Sequence, residues 1–197
     1  MSTTIFKEKL LQEHIASQLE KLGWKKVDKK QGIIQEDILF FRLAKLNPEI
    51  EFTPEIRKSI LSKISLNNDY LVDLPTVNKK FHYYLLNDLY LEDKDITVKL
   101  LDRKIINNNS FHLGKEFSVL PKRADLVLFV NGLPFITIEC KSPFRGSNES
   151  RLEELFNQIQ TYQEEIPQLF SFNLFNVITN GHKAKYGTVS AKSLKEY

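Results

Sequence analysis

Residues 124–143 constrain the fold of this chain more than any other stretch, because they predict a buried β-hairpin. Two runs rich in β-branched and aromatic residues, 126–130 and 135–138, flank the pair Asn131-Gly132. An Asn-Gly pair accepts the positive φ angles that a tight chain reversal requires. Both runs are apolar on both strand faces, which favours strands that are covered on each side. The pattern therefore predicts a hairpin in the interior of the fold.

Three charged residues stand at the open end of this apolar hairpin. Asp125 begins the first strand, and Glu139 and Lys141 end the second. Strand alternation places Glu139 and Lys141 on one face and Cys140 on the other. Whether Asp125 shares their face depends on the turn, because a slip of one residue moves every side chain to the opposite face.

The length of the turn decides whether the two acids meet. A two-residue turn would pair Val130 with Leu133 and send Asp125 to the face opposite Glu139. A turn of three or five residues would pair Asp125 with Glu139 and bring the charges together. Pro134 favours the longer turn, because proline cannot donate to the ladder and fits best at a strand end. The sequence therefore predicts a turn of odd length.

Two carboxylates in an apolar pocket repel each other unless a cation lies between them. Lys141 supplies part of that charge, and a divalent metal ion would supply more. Oxygen ligands from Asp125 and Glu139 suit Mg²⁺, and Lys141 would then orient or deprotonate the water that attacks phosphorus. The same residues also occur by chance as a solvated strand end with an ion pair. The apolar flanks and the turn favour the metal site.

The first helix is expected over residues 6–22 and is closed by Gly23. A helical wheel places Glu8 near the centre of an apolar stripe and Gln12 at its edge, with Glu13 and Glu20 on the solvent side. Two explanations of Glu8 stay open. In the first explanation, Glu8 lies in the first turn of the helix, where its negative charge interacts favourably with the helix dipole and its side chain stays exposed. In the second, its side chain points at the pocket of the two acids.

The remaining pattern predicts an α/β fold. Helices over residues 36–46, 55–66 and within 74–91 form a helical insertion, about residues 36–92, whose aromatic residues are expected in the core. Extended runs are expected at 24–27, 96–102, 111–120, 175–179 and 184–189, and a helix at 147–165 carries Gln158 and Tyr162 one turn apart. For these last two the plain interpretation is a surface glutamine and a core tyrosine. The order predicts a three-layer α/β core with a mixed sheet.

Composition excludes several classes of protein. With 42% hydrophobic and 27% charged residues, the chain of 197 residues is expected to be globular rather than disordered. The net charge of +3 permits a local basic face but does not by itself indicate a nucleic-acid partner. The single cysteine excludes an internal disulfide, and the sequence shows no phosphate-binding loop, zinc-ligand spacing or nucleophile elbow. No signal core or membrane-length apolar run is present, so we expect a cytoplasmic protein without a membrane partner.

Several stretches together resemble the N-terminal endonuclease domain of the restriction (R, motor) subunit of type I restriction-modification enzymes. The resemblance rests on Arg123-Ala-Asp-Leu-Val-Leu-Phe-Val-Asn-Gly-Leu-Pro followed by Phe-Ile-Thr-Ile-Glu-Cys-Lys-Ser-Pro, and on Gln158-Ile-Gln-Thr-Tyr162. It is extended by Phe175-Asn-Val-Ile-Thr-Asn-Gly-His, by Ala184-Lys-Tyr-Gly and by a first helix that ends in Leu22-Gly23-Trp24. It covers most of the chain, while the helical insertion contributes little.

The resemblance implies a RecB-like, restriction-endonuclease-like fold of the PD-(D/E)xK type, as a single nuclease domain over residues 1–197. In that family the catalytic residues would be Asp125, Glu139 and Lys141. Asp125, Glu139 and Glu8 would bind Mg²⁺. Gln158 and Tyr162 would correspond to the family's Q-x-x-x-Y element, which is thought to support the active site or contact DNA.

Two departures from the family pattern concern the site. Ala124 stands where proline often precedes the aspartate, and alanine tolerates the same strand geometry. Gln12 stands where a second helix glutamate is often found, so the choice of first-helix ligand between Glu8 and Glu13 stays open.

The implied function is Mg²⁺-dependent cleavage of unmodified, foreign double-stranded DNA in a prokaryotic cytoplasm. Modification (methylase) and specificity subunits would be the partners, and ATP would serve motor domains that are absent from this chain. The isolated fragment is then expected to cut weakly or not at all. Two other interpretations are a non-catalytic DNA-binding or coupling module with a nuclease-like fold, and a repair nuclease that needs no motor.

Overall fold

The structure is a computed structural model that describes residues 3–27, 32–65, 73–142 and 147–197, with side chains from Glu8 onward. The helices are α1 (Thr3–Lys21), α2 (Glu36–Leu46), α3 (Pro54–Ile64), α4 (Leu74–Asn87), α5 (Asn148–Glu165) and α6 (Pro167–Phe170). The strands are β1 (Lys25–Lys26), β2 (Leu89–Leu91), β3 (Ile96–Val98), β4 (Phe111–Val119), β5 (Lys122–Val130), β6 (Leu133–Cys140), β7 (Phe175–Thr179) and β8 (Ala184–Gly187). None of the described helices has the length and apolar character needed to span a membrane.

The main sheet has six strands in the order β1-β4-β5-β6-β7-β8. It is mixed, because β1 runs parallel to β4 and β6 parallel to β7, while the other neighbours are antiparallel. Helix α1 packs on one face, where Ala16 lies among Leu126, Ile138 and other apolar side chains. Helix α5 covers β6 and β7, and its Leu155 belongs to the cluster that contains Val127. The predicted three-layer α/β core is confirmed.

Helices α2, α3 and α4 share a second core with the turn end of the β5–β6 hairpin. Leu39, Ile60 and Phe81 from these helices join Leu133 and Phe135 of β6 in one buried cluster. The aromatic residues of α4 are therefore partly core residues, as expected. Phe81, for example, makes edge contacts with two other phenylalanine rings.

The third helix of this region, α4, ends before residue 91 and is followed by a short strand. Helix α4 ends at Asn87, and the next residue, Asp88, has a positive φ of 62° that breaks the helical path. Residues Leu89–Leu91 then form β2, which pairs antiparallel with β3 in a separate two-stranded sheet. The prediction of a helix within residues 74–91 is therefore confirmed, and the last residues of that range form a strand, because apolar residues at short spacing fit a strand as well as a helix.

The turn of the central hairpin has two residues, so the prediction of an odd-length turn is wrong. Val130 pairs with Leu133, and the turn residues Asn131 and Gly132 have φ angles of 52° and 84°. Positive φ at both positions matches the right-handed twist of the flanking strands. Pro134 is accommodated within the ladder, opposite Phe129, rather than in a longer loop.

A β-bulge brings Asp125 and Glu139 together in place of the longer turn. The register shifts directly after Pro134, so that Phe135 has no partner in the ladder. Beyond the shift Leu126 pairs with Ile138, and the same register sets Asp125 opposite Glu139. One extra residue in a strand shifts the pairing by one position, as one extra residue in the turn would. Either shift places the side chains of Asp125 and Glu139 on the same face of the sheet.

Candidate active site

Asp125 and Glu139 lie where the backbone pairing of β5 and β6 stops, and their carboxylates continue the hydrogen bonding. Glu139 Oε1 accepts a hydrogen bond from the backbone N–H of Asp125 at 3.1 Å. Asp125 Oδ2 accepts one from the backbone N–H of Cys140 at 2.8 Å. Each acid therefore binds the backbone of the opposite strand, which fixes the two carboxylates beside each other.

The two carboxyl groups are desolvated and repel each other. Glu139 is 0% exposed, and burial followed by the charge of Asp125 raises its pKa well above the ordinary value. Burial raises the pKa of Asp125 from 3.8 to about 6, against the lowering effect of the Cys140 N–H. Near neutral pH the pair therefore tends to retain a proton unless a cation stands beside it.

Of Glu8 and Glu13 on α1, Glu8 is the acid whose charge acts on this pair. The charge of Glu8 raises the pKa of both Asp125 and Glu139. Glu13 instead forms an ion pair with Lys115, and its side chain is 47% exposed. Of the two open explanations of Glu8, the structure favours the one in which it faces the pocket.

Gln12 also reaches the site, although sequence reasoning assigned it no role there. Its side chain is only 7% exposed, and its hydrogen bond lowers the pKa of Asp125. The sequence signal that could have identified Gln12 as a site residue is its position at the edge of the apolar stripe, one helical turn after Glu8.

Lys141 follows the last residue of β6 and lies within electrostatic range of both acids. Its charge lowers the pKa of Asp125 and of Glu139. Its backbone N–H donates to the carbonyl of Thr179 at 3.0 Å, which anchors the end of the strand to β7. Cys140 points away from Glu139, into the cluster beneath α1, as strand alternation predicts.

Gln158 and Tyr162 of α5 link the helix to both strands of the hairpin. Gln158 Nε2 lies 2.6 Å from Glu139 Oε2 and 3.0 Å from Tyr162 Oη. Tyr162 Oη in turn donates to the backbone carbonyl of Arg123 at 3.2 Å. The plain interpretation of Gln158 as a surface residue is wrong, because its amide donates to the buried carboxylate of Glu139.

The donors at this site fit a hard cation that retains much of its water. Among the described residues no group of three His, Cys, Asp or Glu side chains is placed to hold a metal ion on its own. Asp125 and Glu139 are thus a two-carboxylate set, with Glu8 near enough to add its charge. Mg²⁺ is bound in proteins through one or two carboxylates, with water or phosphate oxygens as its other ligands. A cation would also relieve the repulsion between the two acids.

Comparison with known proteins gives consistent matches over nearly the whole chain. The family model described as "Type I restriction enzyme R protein N terminus" matches residues 5–195. The endonuclease subunit of the type I restriction enzyme HindI from Haemophilus influenzae is 30% identical over 171 residues, 81% of this chain and 16% of that protein. A putative type I restriction enzyme MjaVIIIP endonuclease subunit from Methanocaldococcus jannaschii is 30% identical over 187 residues, 86% of this chain and 17% of that protein. The chain thus spans about a sixth of the length of these relatives.

Proposed function

Because the chain belongs to the family of type I restriction enzyme R protein N termini, we propose that it is the endonuclease domain of such a subunit. It hydrolyses phosphodiester bonds of double-stranded DNA with the help of Mg²⁺. The observation that carries the proposal is the pair Asp125 and Glu139, whose carboxylates are buried side by side and fixed by each other's strand. The family membership and this pair support the same chemistry independently.

Asp125 and Glu139 would hold Mg²⁺, with Glu8 near enough to add its negative charge to the site. When bound, Mg²⁺ stabilises negative charge on phosphate oxygens and lowers the pKa of water. The protein contributes a fixed position for the acids, since the backbone bonds orient Asp125 and the amide of Gln158 orients Glu139.

Lys141 is the proposed partner of the attacking water. Its alternation with Glu139 along β6 and its effect on the pKa of both acids bring an ammonium group to the same pocket. An ammonium there would orient the water and balance charge that develops on the phosphate, whereas the neutral amine form of Lys141 would accept the water's proton. Asp125, Glu139 and Lys141 are therefore the proposed catalytic residues.

The substrate in the cell would be unmodified foreign DNA, and the reaction would be coupled to the rest of the subunit. We assign choice of site to a specificity subunit, methylation to a modification subunit and ATP-driven translocation to motor domains of the same R subunit. The modest net charge of +3 agrees with a domain that receives DNA from a motor and needs little affinity of its own. The compartment would be a prokaryotic cytoplasm.

The experiment joins metal binding by this chain to cleavage by the assembled enzyme. Calorimetric titration with Mn²⁺ or Mg²⁺ should give saturable heat for the wild-type chain and none for Asp125→Ala. In the complete enzyme, Lys141→Ala should retain the metal-binding heat of its isolated chain and lose DNA cleavage, while Lys58→Ala, an exposed lysine of α3, should cut like wild type. A complex that still cuts with Lys141→Ala excludes this role for Lys141. Saturable binding to wild type that Asp125→Ala does not reduce excludes the metal site.

A further inference from the structure

A second cluster of polar side chains lies at the β1 edge of the sheet, around a cavity of about 450 Å³ between α2 and the first residues of β4. Lys25 of β1, Arg42 of α2 and His112 of β4 line it. Lys25 and His112 are direct neighbours in the parallel pairing of β1 with β4. Arg42 approaches the same cavity from the helix, so three basic residues from three elements meet there.

Two nitrogen atoms of this cluster are buried without a partner. Arg42 Nε and His112 Nδ1 have no hydrogen-bond partner among the residues that the structure describes. Arg42 is nevertheless oriented, because its Nη1 donates to the carbonyl of Asn108 at 3.3 Å. A buried polar nitrogen without a partner is unfavourable to the folded state. Both atoms have almost no accessible surface, so a ligand in the cavity would accept hydrogen bonds from these side chains after they turn toward it, and their unmet hydrogen-bonding capacity favours that turn.

The charge of the cavity selects the sign of that ligand. Lys25 and Arg42 are both cationic, and one carboxylate, Asp37, also lines the cavity. Burial lowers the pKa of His112, and the charges of Lys25 and Arg42 lower it further. Burial, with the help of the two cationic neighbours, thus favours the neutral imidazole, and an anion placed between them would favour its protonated form.

An aromatic ring beside the cavity adds a second recognition element. Phe41 lines the cavity, and it is 59% exposed although it is a large apolar residue. The ammonium of Lys45 stands 4.5 Å from its ring centre. An exposed ring flanked by cationic groups is the combination that proteins use to stack a nucleobase next to its phosphate.

We propose that the cavity bounded by Lys25, Phe41, Arg42 and His112 binds a nucleoside phosphate. The side chains of Arg42 and His112 turn toward the phosphate and donate to it, Lys25 balances its charge, and the base stacks on Phe41. The ligand is either a free nucleotide or one unit of a nucleic-acid strand, since both present the same phosphate and base.

This site is separate from the acidic pair. His112 pairs with Phe129, which lies four residues along β5 from Asp125. At about 3.3 Å per residue and about 4.8 Å between strands, the two backbones are roughly 14 Å apart. Binding here therefore requires no metal, and it can be measured whether or not the chain cuts DNA.

The test is NMR titration of the 197-residue chain in EDTA, so that phosphate cannot bind through a metal ion. Inorganic phosphate, thymidine 5′-monophosphate and a short oligothymidine are the probes, and the side-chain signals of His112 and Arg42 are the readout. We expect the nucleotide to shift both signals and to raise the pKa of His112. We also expect it to bind more tightly than inorganic phosphate, which has no base to stack.

Matched variants separate the two contacts. Arg42→Met should weaken nucleotide binding by about 10–100-fold, because it removes a charge-assisted hydrogen bond to the phosphate. Arg42→Lys keeps the charge without Nε and should fall between Arg42→Met and wild type. Phe41→Ala changes an exposed residue and should remove the preference for the nucleotide over phosphate. Lys58→Ala, an exposed lysine on α3, should bind like wild type.

The source of the ligand follows from the third probe. Tighter binding of the oligothymidine than of the mononucleotide assigns the site to a strand, and equal binding assigns it to a free nucleotide. The proposal is overturned if no probe shifts His112 and Arg42, or if Lys58→Ala loses as much affinity as Arg42→Met in variants that retain the wild-type circular dichroism spectrum.

Discussion

Glu139 accepts the backbone N–H of Asp125 on its carboxylate, 3.1 Å across the central hairpin. The reciprocal bond runs from the backbone of Cys140 to the carboxylate of Asp125 at 2.8 Å. The proposed metal ligands therefore also complete the pairing of β5 with β6. Their burial is unfavourable to the metal-free protein, because the same bonds hold two repelling groups together.

Asp125→Asn should stabilise the metal-free chain and remove its response to metal. Asparagine retains an oxygen that can accept the Cys140 N–H, and it removes one of the two repelling charges. We expect a gain of about 1–2 kcal/mol in the free energy of unfolding at pH 7.5 in EDTA. Mg²⁺ should raise the melting temperature of wild type and not of the variant. Glu153→Gln, an exposed acid on α5, is the control, and an equal gain there would contradict the explanation.

The stability of the metal-free chain should fall as pH rises through the range in which Asp125 ionises. Burial raises its pKa from 3.8 to about 6, so the folded state binds a proton more tightly than the unfolded state. The favourable contribution is complete below pH 4 and is lost as pH rises past 6. A shift of about two units corresponds to at most roughly 3 kcal/mol.

Urea unfolding in EDTA at pH 4.5 and 7.5 measures this loss. Asp125→Asn should show a smaller decrease between the two pH values than wild type, with the remainder due in part to Glu139, whose pKa is raised in the same direction. Equal decreases in the two proteins would show that Asp125 is not the group responsible.

Gln158→Leu should reduce cleavage by the assembled enzyme more than Tyr162→Phe. The leucine removes the donor that orients Glu139 at 2.6 Å, whereas the phenylalanine removes only the hydroxyl that joins Gln158 to the Arg123 carbonyl. Loss of a group that orients a ligand typically costs about 10–100-fold. The measurements are the cleavage rate and the Mn²⁺ affinity of the chain. A reduced rate with unchanged Mn²⁺ affinity would assign Gln158 to DNA contact instead.

Gly132→Ala should destabilise the chain far more than Gly181→Ala. Both glycines have a φ of 84°, so the backbone strain from a side chain is the same. A Cβ at Gly132 would lie 2.5 Å from the Gln35 carbonyl oxygen, whereas one at Gly181 would meet only Leu11 atoms at 3.4 Å or more. We expect about 1 kcal/mol at Gly181 and about 3 kcal/mol more at Gly132. Similar losses in the free energy of unfolding for the two variants, measured with urea, would mean that α2 does not pack closely against the turn.

Local signals in the sequence predicted much of the fold. Helix α2 and strand β7 have the predicted bounds, and Thr53 caps α3, since its side chain accepts the Ile56 N–H. These features depend on periodicity and capping within a few residues. The alternation of side chains along β6, which places Cys140 and Glu139 on opposite faces, is also a local signal and was predicted.

The features that escaped prediction depend on contacts across the fold. Pro134 is compatible with a longer turn and with a bulge, and only the packing of Phe135 among the rings of the helical core distinguishes the two. Likewise, Glu8 and Glu13 are both acids of α1, and Glu13 is drawn away by Lys115, a residue more than ninety positions later. No short window contains both partners of such a contact.

The turn of the central hairpin lies inside the molecule, beneath α2. The Gly132 carbonyl accepts the Gln35 N–H at 2.8 Å, and the Asn131 amide donates to the Leu100 carbonyl at 3.0 Å. A shortened chain that retained only the sheet would expose this turn to solvent and remove the hydrogen-bond partners of its polar groups. Leu39, Ile60 and Phe81 of the helical insertion also pack with Leu133 beside this turn. The hairpin that carries the two acids at one end therefore depends at its other end on helices that lie far from the acids in sequence.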